Sequence, residues 1–556
     1  MNASCSPEVR RGYLGEVAAL KVTGSGDSAS IRVDDSHLRT LPQNMHGQLM
    51  RAAASPAISG YSGSITHSHP MDPINLHQIA VLAMRSRGLL PAFTPQALQE
   101  AEAARQAGPE RNGTIRDLRH LTWFSIDNDD TRDLDQLSVA ERLANATTRL
   151  LVAVADVDAM VRPSGAVDGH ASANTTSVYT AAGVFPMLPE VLSTDLTSLH
   201  EGQERLALVV DMLVQADGTV SASDLYRATV RSRAKLTYDG VSAWLDGLGP
   251  PAPQLANVPG LDDQLRLHDA LAGQLRQWRQ QRGALNLKTV AARPVFQDGR
   301  LVDLRPDEKN RARDLIADLM IAANAATARF LADKGFPSLR RLLQAPRRWD
   351  RIVALAAGYG VQLPAAPDAL TLDRFLCARR LADPAGFADL SLAVVKMLGS
   401  GEYAAAPATA AGAAGLGHFG LAVNDYAHST APNRRFPDLV TQRLLKAALA
   451  GNPPPYPAEA LSEIARHCTL QEDNANKVER QVLKAAGAWL LAGRIGETFD
   501  AIVTGAAAKG TFVRIGRPLL EGRVVRGFEG LDVGDAMRVR LVAVDASQSF
   551  IDFERA

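Results

Sequence analysis

Apolar and polar positions follow several different rhythms along the chain. Residues 1–70 are Ser/Gly-rich and weakly periodic, with β-prone pieces only at VAALKV and ASIRV. From Leu76 to Ala107 the apolar positions recur at helical spacing and predict two helices. Thr94 suits the cap of the second, with Pro95 at its first position and Gly108 after its end. Between about 116 and 300, short apolar runs such as RLLVAVADV and RLALVVDMLV alternate with turns, which predicts strands and a few helices. From about 313 to 493 the pattern is mainly helical, beginning with the amphipathic RDLIADLMIAANAATARFLADKG. Ala404 to Gly417 reads as a loop. The last ~63 residues carry five short strands separated by Gly or Asp turns, the pattern of a small OB-type barrel.

These rhythms predict a multidomain α+β protein with an N-terminal module over 1–115, a central mixed α/β domain over 116–493 and a barrel over 494–556. At ~150 residues per domain the length suits three or four domains. The chain is 46% hydrophobic and 22% charged, an ordinary soluble balance. Cys5, Cys377 and Cys468 are odd in number and far apart, which argues against a disulfide framework and for the reducing cytoplasm. The start MNASCSPEVRRGY lacks the apolar core of a signal peptide, and no run of ~18 apolar residues suggests a membrane span.

Sixty basic and sixty acidic residues cancel, so a nucleic-acid binder of this composition must gather its cations into local tracks. Arg231, Arg233 and Lys235 alternate on one strand face; Arg276, Arg279 and Arg282 recur at helical spacing; Lys309, Arg311 and Arg313 follow in a run. Each alone reads more readily as a solvated face. In the terminal barrel Phe512 and Phe528, with Lys509, Arg514, Arg517, Arg523 and Arg526, suit base stacking in a positive groove, whereas Phe499 reads better as core.

The densest chemistry lies in SIDNDDTRDLDQ, residues 125–136. The apolar LTWF before it places Asp127 at the end of a strand, and Asp133 and Asp135, two apart at the entry to the next strand, project from one face. Carboxylates this close repel unless a cation sits between them, and hard oxygen donors suit Mg²⁺ or Mn²⁺. An Asp-rich turn solvating a loop is the competing reading. An EF-hand is disfavoured, because the loop lacks its central Gly and terminal Glu.

Several segments resemble the ribonuclease II/ribonuclease R family of exoribonucleases. SIDNDDTRDLDQLSVA is similar to its first signature, an Ile-Asp followed by Asp-x-Asp-Asp. LVAVADVDAMVRPSGAVD, TTSVYTAAGVFPMLPEVLSTDLTSL, LIADLMIAANAATARFL and HFGLAVNDYAHSTAPNRRFPDLVTQRLLKA resemble later segments in the family's order, and the tail resembles an S1 RNA-binding domain. The resemblance covers about residues 116–556. It implies a metal-dependent, processive 3′→5′ exoribonuclease that acts on single-stranded RNA and releases 5′-nucleoside monophosphates. By the same resemblance Asp127, Asp133, Asp135 and the neighbouring Gln136 would hold Mg²⁺, with Mn²⁺ as a substitute. Asp135 and Arg434 would be catalytic, Tyr179 would stack on the 3′-terminal base, and Asp318 would contact the terminal nucleotide. Phe512, Lys509 and Arg514 would bind RNA on the S1 domain. The chain is expected to act as a monomer, away from membranes.

The chain departs from the family's pattern in five places. Gln136 replaces the fourth aspartate, Asp318 stands where Glu is usual, and His428 to Arg434 is more polar than the family segment. Arg341 to Pro346 replaces an Arg-x-His-x-x-Pro element. Residues 1–115 are too short for tandem cold-shock domains, and a small, partly helical, helix-turn-helix-like module is expected there instead. Gln136 motivates an alternative function, a catalytically weakened RNA-binding scaffold. A phosphatase or small-nucleotide hydrolase is a third reading, disfavoured because a small substrate needs no S1-type groove.

Overall fold

The computed structural model describes residues 74–107, 114–297, 299–307, 309–384, 386–408, 417–507 and 510–556, together with two short strands, Leu20–Thr23 and Ser30–Val33. Those two strands pair antiparallel, and they overlap the two β-prone pieces of the N-terminal pattern. The chain divides into compact units between Asp72 and Pro73. This break falls ahead of the domain boundary expected at 115/116. The helices Leu76–Arg85 (α1) and Pro95–Ala107 (α2) belong to the second unit because its core covers their apolar stripes. Leu76, Ala80 and Met84 of α1 pack with Val178, Val478 and Val482, while Ala97 and Ala101 of α2 join the main core. The Thr94 hydroxyl accepts from the amide of Ala97, as its cap position requires.

A six-stranded sheet organises the second unit. Its main strands are Trp123–Asp127 (β1), Gln136–Arg142 (β2), Thr148–Ala155 (β3), Glu204–Val214 (β4) and Val220–Thr237 (β5), with the short Arg116–Asp117 at one edge. The 18-residue β5 serves three neighbours, among them the edge strand Arg116–Asp117, which pairs with Ala228 and Thr229. Its first part runs antiparallel to β4, and its last residues run parallel to β1 with Thr237 opposite Asp127. Near-continuous apolar burial in β1 to β4 reflects the helices packed against the sheet.

Two helices carry the rest of the architecture. Leu261–Gln280 (α3) lies against Arg311–Asp333 (α4), whose first turn is capped by the Asn310 side chain. Among the described residues α4 is the one helix long and apolar enough, by length and composition, to cross a bilayer. It is 78% buried in the fold, as a core helix should be. Phe436–Ala450 (α5) and Ala458–Leu491 (α6) follow. At 34 residues α6 is about 50 Å long. Leu461 and Ala465 enter the main core, Val478 and Val482 meet α1, and Ala488 and Leu491 enter the core of the C-terminal barrel.

That barrel is closed and five-stranded, built from Thr498–Ala507, Gly510–Gly516, Leu519–Arg526, Ala536–Asp545 and Phe550–Arg555. The OB-type expectation is met. Gly522 is required where the Phe553 ring lies against its backbone, leaving no room for a Cβ. Phe499 is core and meets Phe553 edge-on.

Candidate active site

Strand register gathers the acidic stretch. Asp127 is the last residue of β1, and its pairing with Thr237 brings the next residue, Tyr238, beside it. Strand β2 begins only at Gln136, so Asp133 and Asp135 precede the strand instead of lying within it. The alternation still holds. Leu134 points into the core, fastened by Ser198 and Leu199, while Asp133 and Asp135 line a cavity on the other side.

The cavity measures about 350 Å³. Asp127, Asp133, Asp135, Gln136, Tyr179 and Arg434 all line it, although they come from positions more than 300 residues apart in sequence. Arg434 Nε donates to Asp135 Oδ2 at 3.0 Å, and the Asn433 amide donates to Asp135 Oδ1 at 3.0 Å. The alternative partner for Arg434, Asp438, is taken by Arg435 and by the amide of Ala431. Backbone bonds from Ser177 to Arg434 and from Phe436 to Thr175 tie the arginine loop to the segment leading into Tyr179. Tyr179 remains 42% exposed, which marks it as a cavity wall and not a core aromatic.

Burial dominates the electrostatics. It pushes the Asp127 carboxyl up to about 6 and Asp135 up to about 7, and it raises Asp133 as well. Burial also lifts the Tyr179 phenol to about 12. Burial works against the charge of Arg434, but Asp135, Tyr179 and Asp133 outweigh it, and the guanidinium is held more firmly protonated than usual.

The donor set suits a hard divalent cation. Asp127 Oδ2 is buried with no hydrogen-bond partner, and three desolvated carboxylates share one cavity with a neutral carbonyl donor at Gln136. Among the described residues no three carboxylate, His or Cys groups converge tightly enough to enclose an ion by themselves. A metal here would draw further oxygen ligands from water or substrate.

Other expected residues lie elsewhere. Asp318 does not line this cavity; it is 4% exposed and accepts from Arg276 at 2.7 Å and from Arg279. The helix places Arg313 at the cavity, and the exposed residue one turn on is Ala317, whereas Asp318 is turned into the protein. Arg514 is held by Asp389 and is largely covered. Phe512 lies in a second groove with Arg87, Lys396, Lys477, Arg480 and Lys484, the Lys484 ammonium 5.2 Å from its ring centroid. Lys509 lies outside the described residues. The sequence reading missed Tyr238, Asn128 and Thr131, and it left Arg313 as one member of a basic run. Tyr238 is brought in only by the parallel register of β1 with β5.

Comparison with known proteins gives one answer along the chain. The RNB domain family matches residues 115–451, and the RNase II-type exonuclease C-terminal S1 domain matches residues 497–556. Ribonuclease R of Aquifex aeolicus is 30% identical over 501 residues, which are 85% of this chain and 69% of that protein. Ribonuclease R of Escherichia coli is 30% identical over 511 residues, 85% of this chain and 61% of that protein. The fold is similar to Mycoplasma genitalium RNase R in complex with ribose methylated single-stranded RNA, with TM-score 0.75, 21% identity and coverage of 87% of this chain and 78% of that one. It is also similar to yeast Ssd1, a pseudonuclease, with TM-score 0.62, 18% identity and coverage of 82% and 56%.

Proposed function

The chain belongs to the RNB family of 3′→5′ exoribonucleases, and from that premise we propose that it hydrolyses single-stranded RNA processively from the 3′ end, releasing 5′-nucleoside monophosphates with the help of Mg²⁺. The observation that carries this reading is Arg434 reaching Asp135 in a carboxylate-lined cavity that Tyr179 also walls. A pure RNA-binding scaffold has no use for three desolvated carboxylates gathered in one cavity.

Asp127, Asp133 and Asp135 would hold the metal, with the Gln136 carbonyl as a neutral neighbour. When bound, the ion neutralises the scissile phosphate and lowers the pKa of an attacking water. Arg434 presents a fixed, planar charge to the phosphate as negative charge grows on its oxygens. Tyr179, projecting beside Arg434, positions the terminal nucleotide by stacking on its base. Gln136 takes one negative charge out of the cluster, which lowers the mutual repulsion and the pull on a second cation alike.

The groove of Arg87, Lys396, Lys477, Arg480 and Lys484 with Phe512 supports RNA as the substrate. Cations that track a phosphate backbone beside an aromatic that stacks any base give binding without sequence preference. The described cysteines, Cys377 and Cys468, are free thiols, in keeping with a reducing compartment.

The test is Asp135→Asn. Cleavage should disappear while RNA binding persists. Unchanged cleavage would remove Asp135 from the chemistry, whereas RNA binding without cleavage by the parent chain would leave the scaffold reading.

A further inference from the structure

Helix α4 also borders a second cavity, on another face and further along its length. It measures about 330 Å³ and is lined by Trp278, Arg279 and Arg282 at the end of α3 and just beyond it, and by Ile321, Ala325 and Arg329 of α4. The turn before β5 closes one side so tightly that a side chain on Gly218 would strike the α3 backbone and Trp278. None of these residues lines the active-site cavity.

Three features define what the cavity can hold. First, its buried polar atoms without partners are both donors. Trp278 Nε1 and Arg279 Nε make no hydrogen bond, and the Arg279 side chain is only 10% exposed. A buried donor left unpaired is costly, so the tenant must bring acceptors. Second, cations outnumber acids in the lining, with Arg279, Arg282 and Arg329 against Asp318 and Asp425. Asp318 is shared by Arg276 and Arg279, Asp425 is already paired with Arg340, and the outlying Asp333 and Asp217 act on Arg329 and Arg282. Arg282 stacks on the Trp278 ring, 3.8 Å from guanidinium carbon to centroid, and donates to the Trp278 carbonyl at 3.0 Å. Burial works against the charges of Arg279 and Arg329, which an anion would relieve. Third, Leu275, Ile321, Ala322 and Ala325 form an apolar wall, which a small hydrated anion would leave uncovered.

We propose that this cavity is a binding site for a nucleoside 5′-monophosphate, its base against the apolar wall of α4 and its phosphate toward Arg282 and Arg329. The volume falls within the range of small-molecule sites, roughly 300–1,000 Å³. The cavity's chemistry stands apart from the reading of the active site, although a nucleoside monophosphate is also what the proposed reaction would release.

The test is calorimetric titration of the full chain in EDTA with AMP, UMP or inorganic phosphate, followed also by tryptophan emission. AMP should bind one-to-one and perturb the emission. Arg282→Glu, at an exposed position, and Ala325→Leu, which fills the cavity, should each weaken binding at least tenfold, while Arg434→Ala leaves it unaltered. Three results would overturn the site: no binding of either nucleotide, binding abolished by Arg434→Ala but kept in Arg282→Glu, or inorganic phosphate binding as tightly as AMP.

Discussion

Helix α4 borders two cavities of nearly equal size, about 350 and 330 Å³, with opposite chemistry. At its first turn Arg313 faces a chamber whose other principal groups are three aspartates, a tyrosine pair and Arg434. Further along, the helix faces arginines and an apolar wall, and the one buried acid there is neutralised twice. Burial raises the carboxyl groups of the first and works against the guanidiniums of the second. Desolvation by the same scaffold thus prepares one site for a cation and the other for an anion. Size says nothing about which is catalytic; the sign of the uncompensated charge does.

The comparison is broken most severely by removing the acidic site's own ligands. Asp135→Asn should reduce exonuclease rate below detection with RNA affinity retained in a gel-shift assay, and cleavage at the parental rate would mean the acids are bystanders. Arg434→Ala should lower kcat by roughly 10²–10³, the cost of losing one preorganised donor to a developing oxyanion. Arg434→Lys should restore little, because a point charge does not replace the planar fork. A full rescue by Lys would contradict that role. Replacing Arg480 and Lys484 together by Ala should weaken RNA binding for every sequence alike, and should reduce the slope of log affinity against log salt by about one to two. A sequence-dependent loss would argue against backbone tracking. Tyr179→Ala should change the length of the final undigested oligonucleotide more than the initial rate; an unchanged end product would place Tyr179 outside the substrate path.

The smallest effect is on stability. Asp127 and Asp135 have folded values of about 6 and 7, above the usual 3.8. Between about pH 4 and 7 the folded chain therefore binds more protons than the unfolded one, and metal-free stability falls as pH rises through that window. Mg²⁺ held by the charged carboxylates offsets this loss, so it should raise Tm more at pH 8 than at pH 5. Equal shifts at the two pH values would contradict the link between these acids and the metal.

Much of the acidic site was legible in sequence because its residues are local or sit in motifs. Asp127, Asp133, Asp135 and Gln136 fall within ten residues, and strand alternation alone puts two of them on one side. Arg434 and Tyr179 came only through family resemblance, since no periodicity joins positions 255 residues apart. Asp318 shows the limit of motif transfer: one step along a helix is a rotation of about 100°, enough to turn a residue from the cavity into the protein. Tyr238 was missed because a parallel strand pairing leaves no mark in a single sequence. The arginine cavity was missed because Arg276, Arg279 and Arg282 look like a solvated stripe until α4 is packed beside them. The terminal barrel was readable because its strands are short, consecutive and separated by turns.

The central claim, that a cation-dependent centre built on Asp127, Asp133 and Asp135 cleaves RNA despite Gln136, is tested most directly by one time course. Single-stranded RNA labelled at its 5′ end is incubated with the protein in Mg²⁺, Mn²⁺ or EDTA. A short end product that accumulates without intermediates in Mg²⁺ and vanishes in EDTA is the predicted result. Intact RNA under every metal condition, with a shifted band in a binding gel, would contradict it.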